Sequence, residues 1–318
     1  VLNGLFGDRL AAAGDQRTIQ MSFRQGGRDT DLDALDLDRR LRGPGCTLVV
    51  LVPGLMCDEV IFEDTRWQNT GPPRPGFGAR LAADLGVTVL SVRYNTGLHI
   101  SQNGRLLSAL LETLTGRHGQ QINHLVLIGH SMGALVVRSA GHHGAQHGHR
   151  WIHKLGTVVL VGIPNHGAYV EQLANLTSFV LNRVPNITAG IIGQAIDLRS
   201  DGIKDLRFGL MVDDDWRGRA YDDRLFVTRA VVEPLPGVSY HVLVGTLHSE
   251  GTSPVAAHLG DGMVGRRSAM GQSFFGPADP LADRASFTLF PRTGHLSMLI
   301  DPEVGRHVTD IVREAVRD

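Results

Sequence analysis

The sequence predicts an α/β protein with a mostly parallel central sheet and helices on both faces. Three observations carry that expectation. Short β-branched runs alternate with amphipathic stretches along most of the chain. The runs are apolar throughout, as strands covered on both faces are. The chain has 318 residues, 42 % of them apolar and 20 % charged, which is enough to build a large core as one domain, here taken as residues 1–318.

The expected strands are Thr47 to Val52, Val87 to Tyr94, Asn123 to Ile128, Thr157 to Ile163, Tyr240 to Val244 and Phe287 to Phe290. Leu106, Leu107, Leu110, Leu111 and Leu114 recur at helical spacing, with Ser101 upstream as a cap and Gly116 at the end. A C-terminal helix is announced by Asp301 as cap and Pro302 in the first turn. Its apolar face is Val304, Val308, Ile311, Val312 and Ala315. From about Gly167 to Gly237 the alternation lapses, far beyond the usual connection of about 2 to 6 residues. This stretch, approximately 168–237, reads as a cap or lid insertion, with a plain structural excursion as the alternative, and Leu173, Leu176, Phe179, Val180 and Val184 fit an amphipathic helix in it. Before Gly45 the pattern is weak, with Thr18 to Phe23 as a candidate strand and no clean period from Asp29 to Arg42.

Composition narrows the functions. With 31 basic and 32 acidic residues, and no Lys/Arg block to track a phosphate backbone, nucleic acid is not the expected partner. No apolar run approaches the roughly 20 residues that span a bilayer. Cys46 and Cys57 flank a strand that holds them apart, which argues against a disulfide, and reduced thiols fit a cytoplasmic setting. Val1 to Gly14 lacks the basic start and apolar centre of a secretion signal, although a first residue other than Met is compatible with a removed leader and secretion. His142, His143, His147, His149 and His153 lie on Gly-rich spacing without a fixed ligand face, so they read as a solvated helix end and no metal is expected. Trp67, Trp151 and Trp216 read as packing residues.

Gly129-His130-Ser131-Met132-Gly133 has the form G-x-S-x-G. The letters alone are weak in a chain with 39 glycines, but the flanks are specific. Leu125 to Ile128 enters as a strand, and Ala134, Leu135, Val136, Val137 and Ala140 leave as a helix. A serine held in so sharp a turn exposes its hydroxyl, and flanking glycines remove the clash where strand and helix converge. Ser131 is therefore the candidate nucleophile.

A serine hydroxyl needs a base, and His295 follows the last expected strand and precedes the last helix, where the order serine, acid, histidine puts it. The acid must lie between them and hold the imidazole by its other nitrogen. Asp261, in Gly260-Asp261-Gly262-Met263-Val264, is the choice. Asp213, Asp214 and Asp215 fall inside the insertion, and Asp279 and Asp283 sit in a Pro-containing loop. A tetrahedral intermediate needs two backbone donors. The residue after the nucleophile, Met132, supplies one. Leu55, in Pro53-Gly54-Leu55-Met56, supplies the other, with Met56 as the neighbouring alternative.

In these motifs the chain resembles the bacterial esterase and lipase branch of the α/β-hydrolase superfamily, including relatives of lipid-anchor inositol deacylases. The likeness rests on Val52-Pro-Gly-Leu55, the segment around Ser131, the segment around Asp261 and Gly294-His295, in that order. Arg93-Tyr-Asn-Thr-Gly97, Ile163-Pro-Asn-His-Gly167 and Ile203-Lys-Asp-Leu206 extend it from roughly Thr47 to the C-terminus. Two departures stand out. Ile163-Pro164-Asn165 replaces a frequent Thr-Pro-His, and Pro53-Gly54 replaces the His-Gly of many lipases. The resemblance implies an α/β-hydrolase fold and hydrolysis of a small-molecule or lipid ester through a Ser-His-Asp triad, without a cofactor. An acyltransferase or thioesterase would use the same machinery, and a non-catalytic binding protein would share the fold alone.

Overall fold

The computed structural model describes residues 1–30, 32, 46–64, 74–167, 200–218, 229–247, 261, 264, 266–271 and 278–317. In chain order it contains helix α1 (Leu2–Ala12) and strands β1 (Ser22–Gln25), β2 (Arg28–Asp29) and β3 (Cys46–Val52). Next come α2 (Phe77–Leu85), β4 (Thr88–Arg93), α3 (Ile100–His118), β5 (Ile122–His130), α4 (Met132–Gln146) and β6 (Leu155–Val161). After α5 (Asp201–Phe208) follow β7 (Ser239–Thr246), β8 (Ala285–Pro291) and α6 (Pro302–Arg317), with short helical turns between.

The eight strands form one sheet in the order β2-β1-β4-β3-β5-β6-β7-β8. From β4 to β8 every pairing is parallel, and β1 joins antiparallel to both β4 and β2 at the edge. All six expected strands are present. The Thr18 to Phe23 candidate is displaced toward the C-terminus, to Ser22–Gln25.

The apolar runs divide between two cores because successive side chains of a strand point to opposite faces. Leu48, Val50 and Val52 meet Leu107, Leu111 and Leu114 of α3 and Leu135 and Val136 of α4 on one face. Val49 and Leu51 meet Phe77 and Leu81 of α2 and Val304, Val308 and Val312 of α6 on the other. Burying each such side chain contributes about 1.5–3 kcal/mol. Asp301 caps α6 as its position suggests, with Oδ1 accepting from the Glu303 and Val304 N–H groups at 2.8 and 3.3 Å.

Helix α3 starts differently from the expectation. Ser101 lies inside the helix and its hydroxyl donates to Asp213 Oδ1 at 2.6 Å, so it does not cap. The carboxylate of Asp205, on α5, accepts the Ile100 N–H at 2.8 Å and so satisfies an N–H at the helix start from another element. Gly116 is helical and the chain leaves the helix at Gly119, while Leu106 points outward, 45 % exposed.

Helix α1 was not legible because its buried side is Asn3, Gly4, Leu5 and Gly7, with a single large apolar residue. The glycines let its backbone approach the β4 exit, where a Cβ on Gly7 would lie 1.8 Å from Asn95 Oδ1. The proposed insertion helix through Leu173 to Val184 lies outside the described residues, as do Trp67 and most of Asp29 to Arg42. Cys46 opens β3 and Cys57 follows the loop beyond it, and both are free thiols. Among the described residues no helix is long and apolar enough to cross a membrane.

Candidate active site

Strand β5 runs directly into Ser131, and α4 begins at the next residue. Ser131 has φ 55° and ψ −124°, a backbone conformation that costs a side-chain-bearing residue about 1–3 kcal/mol. Its N–H donates to the Val161 carbonyl at the end of β6, 2.9 Å away, which ties the turn to the sheet. The flanking glycines are demanded by contact. A Cβ on Gly129 would stand 2.5 Å from Ala134 Cα, and one on Gly133 would stand 2.2 Å from the Val52 carbonyl oxygen.

The structure brings Asp261 and His295 together. His295 Nδ1 lies 2.7 Å from Asp261 Oδ2, and the His295 N–H donates to the Asp261 carbonyl at 2.9 Å. Asp261 Oδ1 accepts the Val264 N–H at 2.7 Å, so both carboxylate oxygens are held. Beneath the pair is Gly162, with φ +59°, where a Cβ would meet His295 Cε1 and Nδ1 at 3.0 Å. A carboxylate at Nδ1 favours the tautomer in which Nδ1 donates and the lone pair falls on Nε2.

Ser131, Asp261 and His295 are all buried. His295 Nε2 has no hydrogen-bond partner among the described residues, so it is not hydrogen bonded to Ser131 in this structure. Ser131 and His295 nevertheless share one neighbourhood. His130, adjacent to Ser131, has its ring 4.8 Å from that of His295, and its Nε2 lies 3.3 Å from the His295 carbonyl oxygen. Burial first, and the neighbouring His295 second, hold the His130 imidazole well below its ordinary pKa, so it is neutral.

The Pro53–Met56 loop packs against Ser131, since a Cβ on Gly54 would lie 3.0 Å from Ser131 Cβ. Leu55 and Met132 are both buried beside it. The Met56 N–H is occupied by Thr96 Oγ1 at 3.2 Å. Sequence reasoning singled out neither His130 nor Thr96. The signal was present, in the letter before the serine and in Arg93-Tyr-Asn-Thr-Gly97.

Three of the rival acids are engaged elsewhere. Asp213 pairs with Arg105, and Asp215 Oδ2 accepts from the Met211 and Val212 N–H groups. Asp279 makes a two-pronged pair with buried Arg138, at 2.7 and 2.8 Å. Arg138 also donates to Asn165 Oδ1, so the departure at Ile163-Pro164-Asn165 serves packing between β6 and α4. In the histidine cluster the solvated reading fails for His143, which is buried with neither ring nitrogen hydrogen bonded among the described residues. No group of three or more His, Cys, Asp or Glu side chains among the described residues is placed to hold a metal. Trp151 is fully buried, and Trp216 stacks on His99 with ring centroids 3.7 Å apart.

A largely parallel eight-stranded sheet covered on both faces, with a strained serine between strand and helix at its centre, defines the α/β-hydrolase fold. Solved structures agree. The mature form of the Bacillus licheniformis lipase BlEst2 superposes with a TM-score of 0.51 at 19 % identity, covering 85 % of this chain and 93 % of that one. Its propeptide form gives a TM-score of 0.52 at 19 % identity, covering 86 % of this chain and 51 % of that one. No protein-family model and no curated protein sequence matches the chain.

Proposed function

We propose that the chain is a carboxylic ester hydrolase acting through Ser131, His295 and Asp261. The observation that carries this reading is the Asp261–His295 pair beside a serine in a strained strand-to-helix turn. His295 Nε2 makes no hydrogen bond among the described residues, which leaves that nitrogen available to act as a general base. The fold shared with a lipase is consistent with acyl-ester chemistry.

In the proposed cycle His295 Nε2 takes the proton from Ser131 Oγ as that oxygen attacks the ester carbonyl carbon. The negative charge moves to the carbonyl oxygen, where the N–H groups of Met132 and Leu55 receive it. Occupation of the Met56 N–H supports Leu55 as the donor of this loop. His295 then protonates the departing alcohol, leaving an acyl group on Ser131. A water molecule activated by the same nitrogen adds to the acyl carbonyl and releases the acid. Each oxyanion donor contributes about 2.7–4 kcal/mol to such a transition state.

Replacing Ser131 by Ala tests the reading. The purified variant should lose on the order of 10⁴-fold or more in kcat on a short-chain nitrophenyl ester. A rate equal to that of the parent protein would refute it. Initial rates across nitrophenyl esters of rising acyl length then separate a lipid-like substrate from a short one.

A further inference from the structure

The loop that carries Leu55 is fastened on both flanks by side chains from the exit of β4. The Tyr94 hydroxyl donates to the Pro53 carbonyl at 2.7 Å. On the other side the Met56 N–H donates to Thr96 Oγ1 at 3.2 Å. Tyr94, Thr96, Pro53 and Leu55 are buried, so water does not readily replace either bond.

We propose that Tyr94 and Thr96 are positioning residues for the oxyanion donor, fixing the direction of the Leu55 N–H by pinning the backbone on either side of it. This inference rests on the reading of Ser131 as nucleophile and Leu55 as donor. Its physical basis is that an oxyanion donor works by being aimed in advance, so that no reorganisation is needed as charge develops. A loop released at one flank lets the N–H turn away, and a displacement of about 1 Å can cost on the order of 10²-fold in rate.

Further features fit the role. Met56 has φ 59°, a left-handed value that a side-chain-bearing residue keeps only where its surroundings hold it. The Thr96 bond holds the peptide N–H of that same residue. The clamp is itself anchored, because Asn95 Oδ1 accepts the Gly97 N–H at 3.0 Å and Asn95 Nδ2 donates to the Gly7 carbonyl at 2.9 Å. Asn103 Nδ2 on α3 donates to the Asn95 carbonyl, also at 2.9 Å. Burial pushes the Tyr94 phenol well above its ordinary pKa, which keeps it a donor at any working pH.

The test compares the parent protein with Tyr94→Phe, Thr96→Val and Thr96→Ser, with Ser131→Ala as control. Active sites are titrated with a fluorophosphonate, and kcat per titrated site and KM are measured on a short-chain nitrophenyl ester. Inhibition by an alkyl boronic acid, which forms a tetrahedral adduct, is measured alongside. Tyr94→Phe and Thr96→Val should each lower kcat per site by about 10-fold to 100-fold with KM nearly unchanged, and weaken boronate inhibition in proportion. Thr96→Ser keeps the oxygen and should retain most of the parent rate. Unchanged kcat per site and boronate inhibition in both variants would overturn the proposal, even if fewer sites titrate, since the residues would then serve stability alone. Equal damage from Thr96→Ser and Thr96→Val would also overturn it. A parent protein without esterase activity, or an active Ser131→Ala, would instead sink the underlying reading and this inference with it.

Discussion

Asp261 Oδ2 and His295 Nδ1 lie 2.7 Å apart although 34 residues of chain separate them, and the side chains of both are about 2 % exposed. In the proposed cycle the carboxylate would select one imidazole tautomer and compensate the charge that appears when the ring takes a proton. Asp261→Asn keeps the shape and reverses the tautomer preference. The expected result is a fall in kcat of about 10⁴-fold with little change in the thermal midpoint, read from steady-state kinetics and thermal unfolding on the same preparation. A residual rate near that of the parent would place the acid elsewhere.

Arg138 and Asp279 form another buried pair, joining α4 to the turn before β8. Burial alone would raise the Asp279 pKa, but the Arg138 charge and hydrogen bonds outweigh it and hold the carboxyl below its usual value. A depressed folded-state pKa contributes stability that is present above the unfolded value, roughly pH 4, and is lost as pH falls through the folded one. Asp279→Asn leaves a buried guanidinium without its counter-charge and should cost about 3–5 kcal/mol in urea unfolding at pH 7. The deficit relative to the parent should shrink below pH 4.

His143 predicts a different acid response. Burial first, then the nearby His142 and Arg105, bring its pKa down to about 4. Between pH 6.5 and about 4 the unfolded chain holds a proton that the folded protein excludes, so this residue makes stability fall as pH drops. His143→Leu removes the titration. Stability lost between pH 7 and pH 5 should be smaller in the variant by on the order of 2 kcal/mol, measured by denaturant melts at the two pH values. Parallel losses in both proteins would show that His143 takes up its proton without opening the fold.

Gly133→Ala tests the elbow through packing rather than chemistry. The new methyl group would enter the space of the Val52 and Pro53 carbonyl oxygens, at 2.2 and 2.5 Å, which are backbone atoms at the end of β3. Forcing them apart should cost at least the roughly 1–3 kcal/mol typical of overpacking and displace the loop that carries Leu55. Both a lower unfolding midpoint and a lower kcat per folded molecule are expected. An alanine variant with parent-like activity would mean that the turn is looser than its contacts indicate.

The parallel sheet, the helix beginning at Pro302 and the serine turn could all be read from the chain because their signals are local. Apolar β-branched runs, an Asp-Pro helix start and two glycines around a serine act within a few residues. Chain order then placed His295. Helix α1 and the start of α3 were not legible, since glycine-mediated contact and a cap donated by Asp205 from another element leave no periodic trace.

By itself, then, the sequence determined the fold class, the position of the candidate serine in its strand-to-helix turn and a short roster of carboxylates. Tertiary structure decided which carboxylate faces His295, that His143 is buried, and that Tyr94 and Thr96 grip the loop beside Ser131. The physical reason is that an aspartate or a threonine has the same chemistry wherever it stands in the chain. Only the folded sheet, by bringing the carboxyl ends of β3, β4, β5 and β7 to one edge, chooses its partner.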